Sequence, residues 1–182
     1  MSETTVKKDP STPTLVVVLF LICLVTALLL GLTNMITAPY IRANEWKTTQ
    51  EAMNAVLPAD SYDEVEYTGG DATVEAVYQA GDAGYVVQVS PPTSFSGNLT
   101  IMVGVDSSYA CTGISVTSTG ETSGLGSNAS RPSFADQFIG KTGTVAVTKD
   151  GGDINAITGA TITSRGVCEA VNSAIAVAES MG

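Results

Sequence analysis

Asp153-Ile154-Asn155-Ala156-Ile157-Thr158-Gly159-Ala160-Thr161-Ile162-Thr163-Ser164 is a run of small and hydroxyl-bearing residues that leads into a helix. From Val167 onward the apolar side chains recur at Val167, Ala170, Val171, Ala174, Ile175 and Ala178, the spacing of one buried helical face. A terminal helix patterned this way needs an apolar surface to cover it, and it places Thr161 to Ser164 in the first turn or the cap. The start of a helix presents unpaired backbone N–H groups and the positive end of the macrodipole, which together favour a phosphate dianion. Gly159 lets the backbone approach closely, Ala160 adds no bulk beside it, and Arg165 supplies a nearby cation. Ser and Thr are also the ordinary N-cap residues, so the loop by itself names no ligand.

The surface that would cover the helix lies upstream, where Ala72 to Lys149 reads as β-rich. In Asn98 to Asp106, Leu99, Ile101, Val103 and Val105 alternate with Thr100, Met102 and Gly104, the period of a strand. Gly84 to Ser90 forms a second strand, and Thr73 to Gln79, Tyr109 to Ser118 and Thr144 to Lys149 are further candidates. Asp82-Ala83-Gly84 and Asp106-Ser107-Ser108 lie between such runs at hairpin lengths, which predicts an antiparallel meander.

Nearer the N-terminus, Leu15 to Leu32 holds no charged residue, and the uncharged run continues through Thr33 to Ala38 as far as Pro39. At about 1.5 Å per residue the strict apolar core spans roughly 27 Å and the longer run roughly 36 Å, bracketing the ~30 Å hydrocarbon layer. One transmembrane helix is the natural reading, with Pro13 in its first turn and Pro39 as its stop. Lys7 and Lys8 precede the run as they would in a secretory signal, but the run is long and Thr33 to Thr37 offers no small-x-small cleavage site, so an uncleaved anchor is expected. Lys7 and Lys8 on one side are balanced by Arg42 and Lys47 on the other, so the positive-inside rule leaves orientation open. Ile41 to Leu57 continues at helical spacing as a juxtamembrane helix, followed by an acidic linker around Pro58 to Gly70. The expected fold class is α+β, a single N-terminal transmembrane helix followed by a mainly antiparallel sheet packed against helices. Its expected divisions are a tail at 1–12, the membrane helix at 13–38, a juxtamembrane helix and linker at 39–70, and the outer domain at 71–182.

The formal net charge of −10 is concentrated beyond the anchor and makes nucleic acid an unsuitable partner. Asp60, Asp63, Glu64, Glu66, Asp71 and Glu75 read as a solvated acidic face. With no histidine in the chain, zinc sites of the usual kind and histidine-dependent acid–base catalysis are excluded. Cys23, Cys111 and Cys168 form no metal-type pair, and three scattered thiols cannot supply an iron–sulfur cluster, so no metal site is expected. Cys111 and Cys168 read as two buried thiols, with a disulfide between them as the alternative.

A second candidate loop, Glu121-Thr122-Ser123-Gly124-Leu125-Gly126, follows the Tyr109 to Ser118 strand. Alone it is a Gly-rich turn. Taken with Thr158-Gly159-Ala160-Thr161, the following Ile162-Thr163-Ser164, Asp153 upstream and Phe138-Ile139-Gly140-Lys141 between, it resembles the FMN-binding subunits of the Rnf and Na+-translocating NADH:quinone reductase complexes. The resemblance runs in order from the apolar helix to the terminal helix. Ser123 stands where that family usually has Pro, a departure that removes a fixed φ from the turn.

In that family the last Thr of the four-residue core, here Thr161, carries FMN through a phosphoester that a flavin transferase makes from FAD. Thr158 and Thr163 are rival attachment points on composition alone, and the motif register selects Thr161. The resemblance further implies that Thr158, Gly159, Ala160 and Thr163 surround the linkage and that Glu121, Thr122, Gly124 and Leu125 lie against the flavin. Gly84-Tyr85 and Phe95-Ser96-Gly97 also match family patterns, with Tyr85 or Phe95 as an aromatic neighbour of the ring. A net negative domain disfavours an anionic reduced flavin, and Lys141 or Arg165 would offset that effect. The short chain favours the G-type component of an Rnf-type ferredoxin:NAD+ oxidoreductase moving Na+ or H+. It would be a single-pass cell-membrane protein with its flavin domain on the extracytoplasmic side, among the other membrane and peripheral subunits. No Gly-x-Gly-x-x-Gly fingerprint opens a βαβ unit, and no basic patch suits acidic ferredoxin, so this chain is not expected to bind NAD or ferredoxin itself. The alternatives are the C-type component of the quinone reductase and a non-redox anchored sensor or assembly module.

Overall fold

The computed structural model describes residues 12–95, 99–121 and 123–182. Along the chain come α1 (Thr12–Val56), the strands β1 (Asp63–Val65), β2 (Val74–Gln79), β3 (Gly84–Val89), β4 (Leu99–Asp106) and β5 (Cys111–Thr119), the single-turn α2 (Pro132–Ala135) and α3 (Thr161–Met181). Single 3-10 turns at Gly126–Ser130, Asp136–Phe138 and Thr148–Asp150 punctuate the segment between β5 and α3. The chain divides into two compact units, one ending at Lys47 and the other running from Thr48 to Gly182.

The first unit is the apolar helix. It contains an 18-residue window of mean hydropathy 3.2 and is long and apolar enough to cross a membrane. Its apolar side chains from Leu15 to Leu32 are exposed, as a lipid-facing surface would be. The hydroxyls of Thr26, Thr33 and Thr37 donate to the carbonyls of Ile22, Leu29 and Thr33 one turn back, at 2.8–2.9 Å, so these polar groups are satisfied within the helix. Pro39 does not end the helix as the sequence suggested: α1 passes through it. Proline removes one N–H, the one that would reach the Met35 carbonyl, and a helix of this length, bonded on both sides of that residue, tolerates the loss instead of terminating.

The second unit opens with the last turns of α1 and is built on a five-stranded sheet in the order β1-β2-β3-β4-β5, every neighbouring pair antiparallel. This is the expected meander. In register, Val87 lies opposite Val103, and Val103 opposite Ile114. The alternation along β4 sorts its side chains cleanly. Leu99, Ile101, Val103 and Val105 join Val167, Val171, Ala174 and Ile175 of α3 in one core, together with an edge-to-face pair formed by Phe134 and Phe138. Met102, on the opposite face, packs with Tyr78, Val86, the Met53 and Val56 of the last turns of α1, and Leu57 just beyond it. The sheet is therefore covered on both faces, which holds β3 and β4 rigid beneath the start of α3.

Two local expectations fail for physical reasons. The acidic segment is not all linker, since Asp63-Glu64-Val65 pairs with Val77-Tyr78-Gln79 as β1. An edge strand this short and charged shows no apolar alternation, and its charges discourage pairing with another chain. Conversely, Thr144 to Lys149 is no strand. Val145 and Val147 are buried as a strand's would be, but the backbone of Val145 is satisfied by a side chain: its N–H donates to Asn172 Oδ1 at 2.7 Å, and its carbonyl accepts from Asn172 Nδ2 at 2.9 Å. Only an isolated parallel bridge joins Val147 to Ile154.

Candidate functional site

The cleft of interest lies where α3 begins. Gly159 takes φ +79, a left-handed conformation, and turns the chain sharply into the helix. Ser164 latches this turn: its hydroxyl donates to the Ala160 carbonyl at 2.9 Å and accepts the Ile157 N–H at 2.9 Å. Because Ser164 is spent on the turn and the N-cap position falls on Ala160, no side chain caps α3. Thr161 to Ser164 therefore form the first helical turn, whose opening N–H groups have no side-chain acceptor at the cap.

The three threonines of the motif have different fates. Thr163 is buried at 1% exposure, and its hydroxyl donates to Glu121 Oε2 at 3.0 Å. Thr158 is exposed and lines a separate groove beside Arg131 and Phe134. Thr161 is half-buried on the cleft wall, and its Oγ1 accepts a hydrogen bond from Lys149 Nζ at 3.4 Å.

Glu121 ties the cleft together. Besides holding Thr163, its Oε1 accepts the backbone N–H of Phe95 at 3.0 Å. It thereby joins the chain after β3, the loop after β5 and the first turn of α3. Gly126 makes room for this carboxylate, since a Cβ there would overlap Glu121 Oε2 and sit 2.9 Å from Thr163 Oγ1. The resulting cleft has a volume of ≈ 390 Å³ and runs between Phe95, Leu125, Ile162 and the floor made by Gly126, Gly159 and Thr161. Phe95, Ile162 and Leu125 are 70%, 47% and 42% exposed, an apolar rim that a purely structural turn would not need. Volume and rim fall within the range of small-molecule sites.

Of the expected site residues, Glu121, Leu125, Gly159, Ala160, Thr161 and Thr163 come together around this cleft, whereas Thr158 and Gly124 do not line it. Thr122 lies outside the described residues, as do Ser96 and Gly97. Lys141 is ion-paired with Asp153. Arg165 grips Asp150 through two bonds of 2.6 and 2.7 Å, and neither cation lines the cleft. In each pair the hydrogen bond from the cation holds the aspartate below the usual carboxylate range. Tyr85 lies far from the cleft, its hydroxyl donating to the Met181 carbonyl at the other end of α3. The residue that sequence reading missed is Lys149. It sits in a 3-10 turn whose Asp150 is held by Arg165, and this pairing brings Lys149 to Thr161. A twelve-residue separation with no regular period gives no sequence signal for that contact. Donors and a cation at the floor suit an anion, while the apolar rim suits a flat aromatic group.

Residues 94–176 match the family model of the FMN-binding domain. The chain is 33% identical to the G component of the Na+-translocating ferredoxin:NAD+ oxidoreductase complex of Acetobacterium woodii, over 90% of this chain and 90% of that one. It is 34% identical to the G component of the ion-translocating oxidoreductase complex of Aliivibrio fischeri, over 94% and 90%. The chain belongs to the G-component family of ion-translocating oxidoreductase complexes. The corresponding relative from Methanosarcina acetivorans is 32% identical over 88% of this chain and 90% of its own. A solved structure, the C component of the Na+-translocating NADH-quinone reductase from Parabacteroides distasonis, is 24% identical with a TM-score of 0.48, covering 72% of this chain and 80% of that one.

Proposed function

We propose that this chain is the electron-transfer subunit of a membrane-bound, ion-translocating oxidoreductase complex and that it carries FMN esterified to Thr161. Family membership supports the complex and the flavin. The observation that carries the attachment site is the division of labour among the threonines: Thr163 is committed to Glu121, Thr158 faces another groove, and Thr161 presents its hydroxyl to the cleft. The residues present fit the group. Uncapped N–H groups and Lys149 suit the phosphate, and a Cβ at Gly126 would fill space that the carboxylate of Glu121 now uses. Phe95, Leu125 and Ile162 offer apolar contact to a planar ring.

Bound FMN would supply reversible one- and two-electron redox chemistry. The protein's own work is positional. Ser164 and Gly159 fix the turn that aims Thr161, Glu121 fixes the Phe95 segment against the helix start, and the apolar rim limits water at the site. A covalent link keeps the cofactor from being lost on the extracytoplasmic side, where we place the domain, with α1 as a single-pass anchor among the other subunits. A flavin transferase is the partner during maturation.

The test is full-length protein co-produced with a flavin transferase and run on a denaturing gel under ultraviolet light. Wild-type protein is expected to fluoresce and Thr161→Ala to be dark, with Thr158→Ala still fluorescent. Fluorescence retained by Thr161→Ala would overturn the assignment.

A further inference from the structure

The geometry points to Lys149 as the residue that recognises the phosphate of the flavin at Thr161, in place of the two cations, Lys141 and Arg165, that the sequence brings to notice. This inference rests on the FMN reading above and goes beyond it by assigning the charge partner. Residues 48–182 carry fifteen carboxylates against four cations, Arg131, Lys141, Lys149 and Arg165. Lys141 and Arg165 are engaged by Asp153 and Asp150, and Arg131 lines the separate groove that holds Thr158. Among the described residues Lys149 is the cation that lines the cleft, where Glu121 already contributes a carboxylate. A phosphodiester formed on Thr161 would enter this negative surround with the helix start as its other electrostatic support, and the partial charge there is only about half a unit.

The position of Lys149 is set by neighbours. Arg165 near the start of α3 holds Asp150, and that pair fixes the Thr148–Asp150 turn beside the helix start. Lys149, one residue away, then reaches Thr161 Oγ1 at 3.4 Å. An ammonium donating to that oxygen occupies a lone pair and leaves the hydroxyl proton free to depart. In the transfer from FAD the Thr161 oxygen bonds to the flavin-side phosphorus as the pyrophosphate bond on that phosphorus breaks, AMP leaves with the bridging oxygen, and the hydroxyl proton passes to the transferase. The same ammonium then lies next to the negative charge of the phosphodiester. Exposed ion pairs add little to stability, so the Arg165–Asp150 contact matters here for placement. Lysine suits the task because it acts as a compact point charge on phosphate.

The experiment follows attachment of FMN to full-length protein in detergent, using purified flavin transferase and FAD, with the fraction loaded read by intact mass over time. At saturating transferase, Lys149→Met is expected to load about tenfold more slowly, the consequence of losing one charge-assisted hydrogen bond. Lys149→Arg should recover most of the rate, and Lys141→Met should load as wild type. Added salt should slow wild type towards the Lys149→Met rate and leave the variant nearly unchanged, because screening acts on the charge that the variant lacks. Thermal unfolding of the unloaded variants checks that the fold is intact. Wild-type loading by Lys149→Met, slow loading that disappears at saturating transferase, or failure of Lys149→Arg to recover would each overturn the inference while leaving the FMN reading intact. Wild-type protein that takes up no FMN would instead overturn the FMN reading itself.

Discussion

Replacing Glu121 with Ala removes the acceptor shared by the Thr163 hydroxyl and the Phe95 amide, each at 3.0 Å. Thr163 is only 1% exposed, so water does not replace the lost partner for its hydroxyl. A hydrogen bond to a charged group contributes roughly 1.5–3 kcal/mol when buried, and the more accessible Phe95 amide about 1 kcal/mol. The two are not fully additive, so the expected loss is about 3 kcal/mol, or roughly 10 °C in Tm for a domain of this size. Gly126→Ala alone should cost about 2 kcal/mol, because its new Cβ overlaps Glu121 Oε2 and lies 2.7 Å from Glu121 Cβ. In the Glu121→Ala background the carboxylate is gone but the Cβ contact remains. Relief is therefore partial, and the double-mutant cycle should return a coupling of about 1 kcal/mol. Denaturant unfolding of the four proteins, followed by far-ultraviolet circular dichroism, measures all three values. A loss under about 1 kcal/mol for Glu121→Ala, or strict additivity in the cycle, would refute the view that this carboxylate joins the three walls of the cleft.

Two further outcomes follow from the titration behaviour of buried and turn-forming groups. Burial pushes the thiols of Cys111 and Cys168 up to about 11 and about 12, and both are free. In a Cys23→Ser background neither should react with a hydrophilic thiol reagent at about pH 8 until the protein unfolds, and rapid labelling of the folded protein would count against the packed core. The Asp106 carboxylate accepts from the Ser108 hydroxyl at 2.6 Å, the Ser108 amide at 2.8 Å and the Ala110 amide at 3.0 Å. The Ser108 hydroxyl is the main cause that holds its pKa below the ordinary 3.8. A lowered folded pKa gives stability that is present above that ordinary value and lost as pH falls through the folded one. Unfolding measured between about pH 5 and pH 3 should accordingly show a steeper decline for wild type than for Asp106→Asn, and equal slopes would contradict the assigned bonds.

What the sequence disclosed depended on whether a contact repeated at a regular period. Leu99, Ile101, Val103 and Val105 alternate, and Val167, Val171, Ala174 and Ile175 follow a helical face, so the main strand, the terminal helix and their shared core were legible. The edge strand Asp63-Glu64-Val65 was not, because its pairing uses backbone groups while its side chains read as a solvated loop. Val145 and Val147 show strand-like burial for a different reason, as an Asn172 side chain takes the place of a neighbouring strand. At the site, the motif register singled out Thr161, but nothing local could show that Thr163 is bound by a carboxylate forty-two positions earlier in the chain. Lys141 and Arg165 stand out in the sequence beside the shared motifs, yet each has an aspartate neighbour that holds it. Lys149 reaches Thr161 only through a turn fixed by the Arg165–Asp150 pairing.

The most direct measurement on the central claim is the intact mass of full-length protein matured with a flavin transferase, followed by tandem mass spectrometry of the peptide spanning residues 155–165. The account expects a gain equal to FMN less one water, with every fragment ion placing it on Thr161. An unmodified peptide from protein that nevertheless transfers electrons within its complex, or the added mass on Thr158 or Thr163, would contradict it.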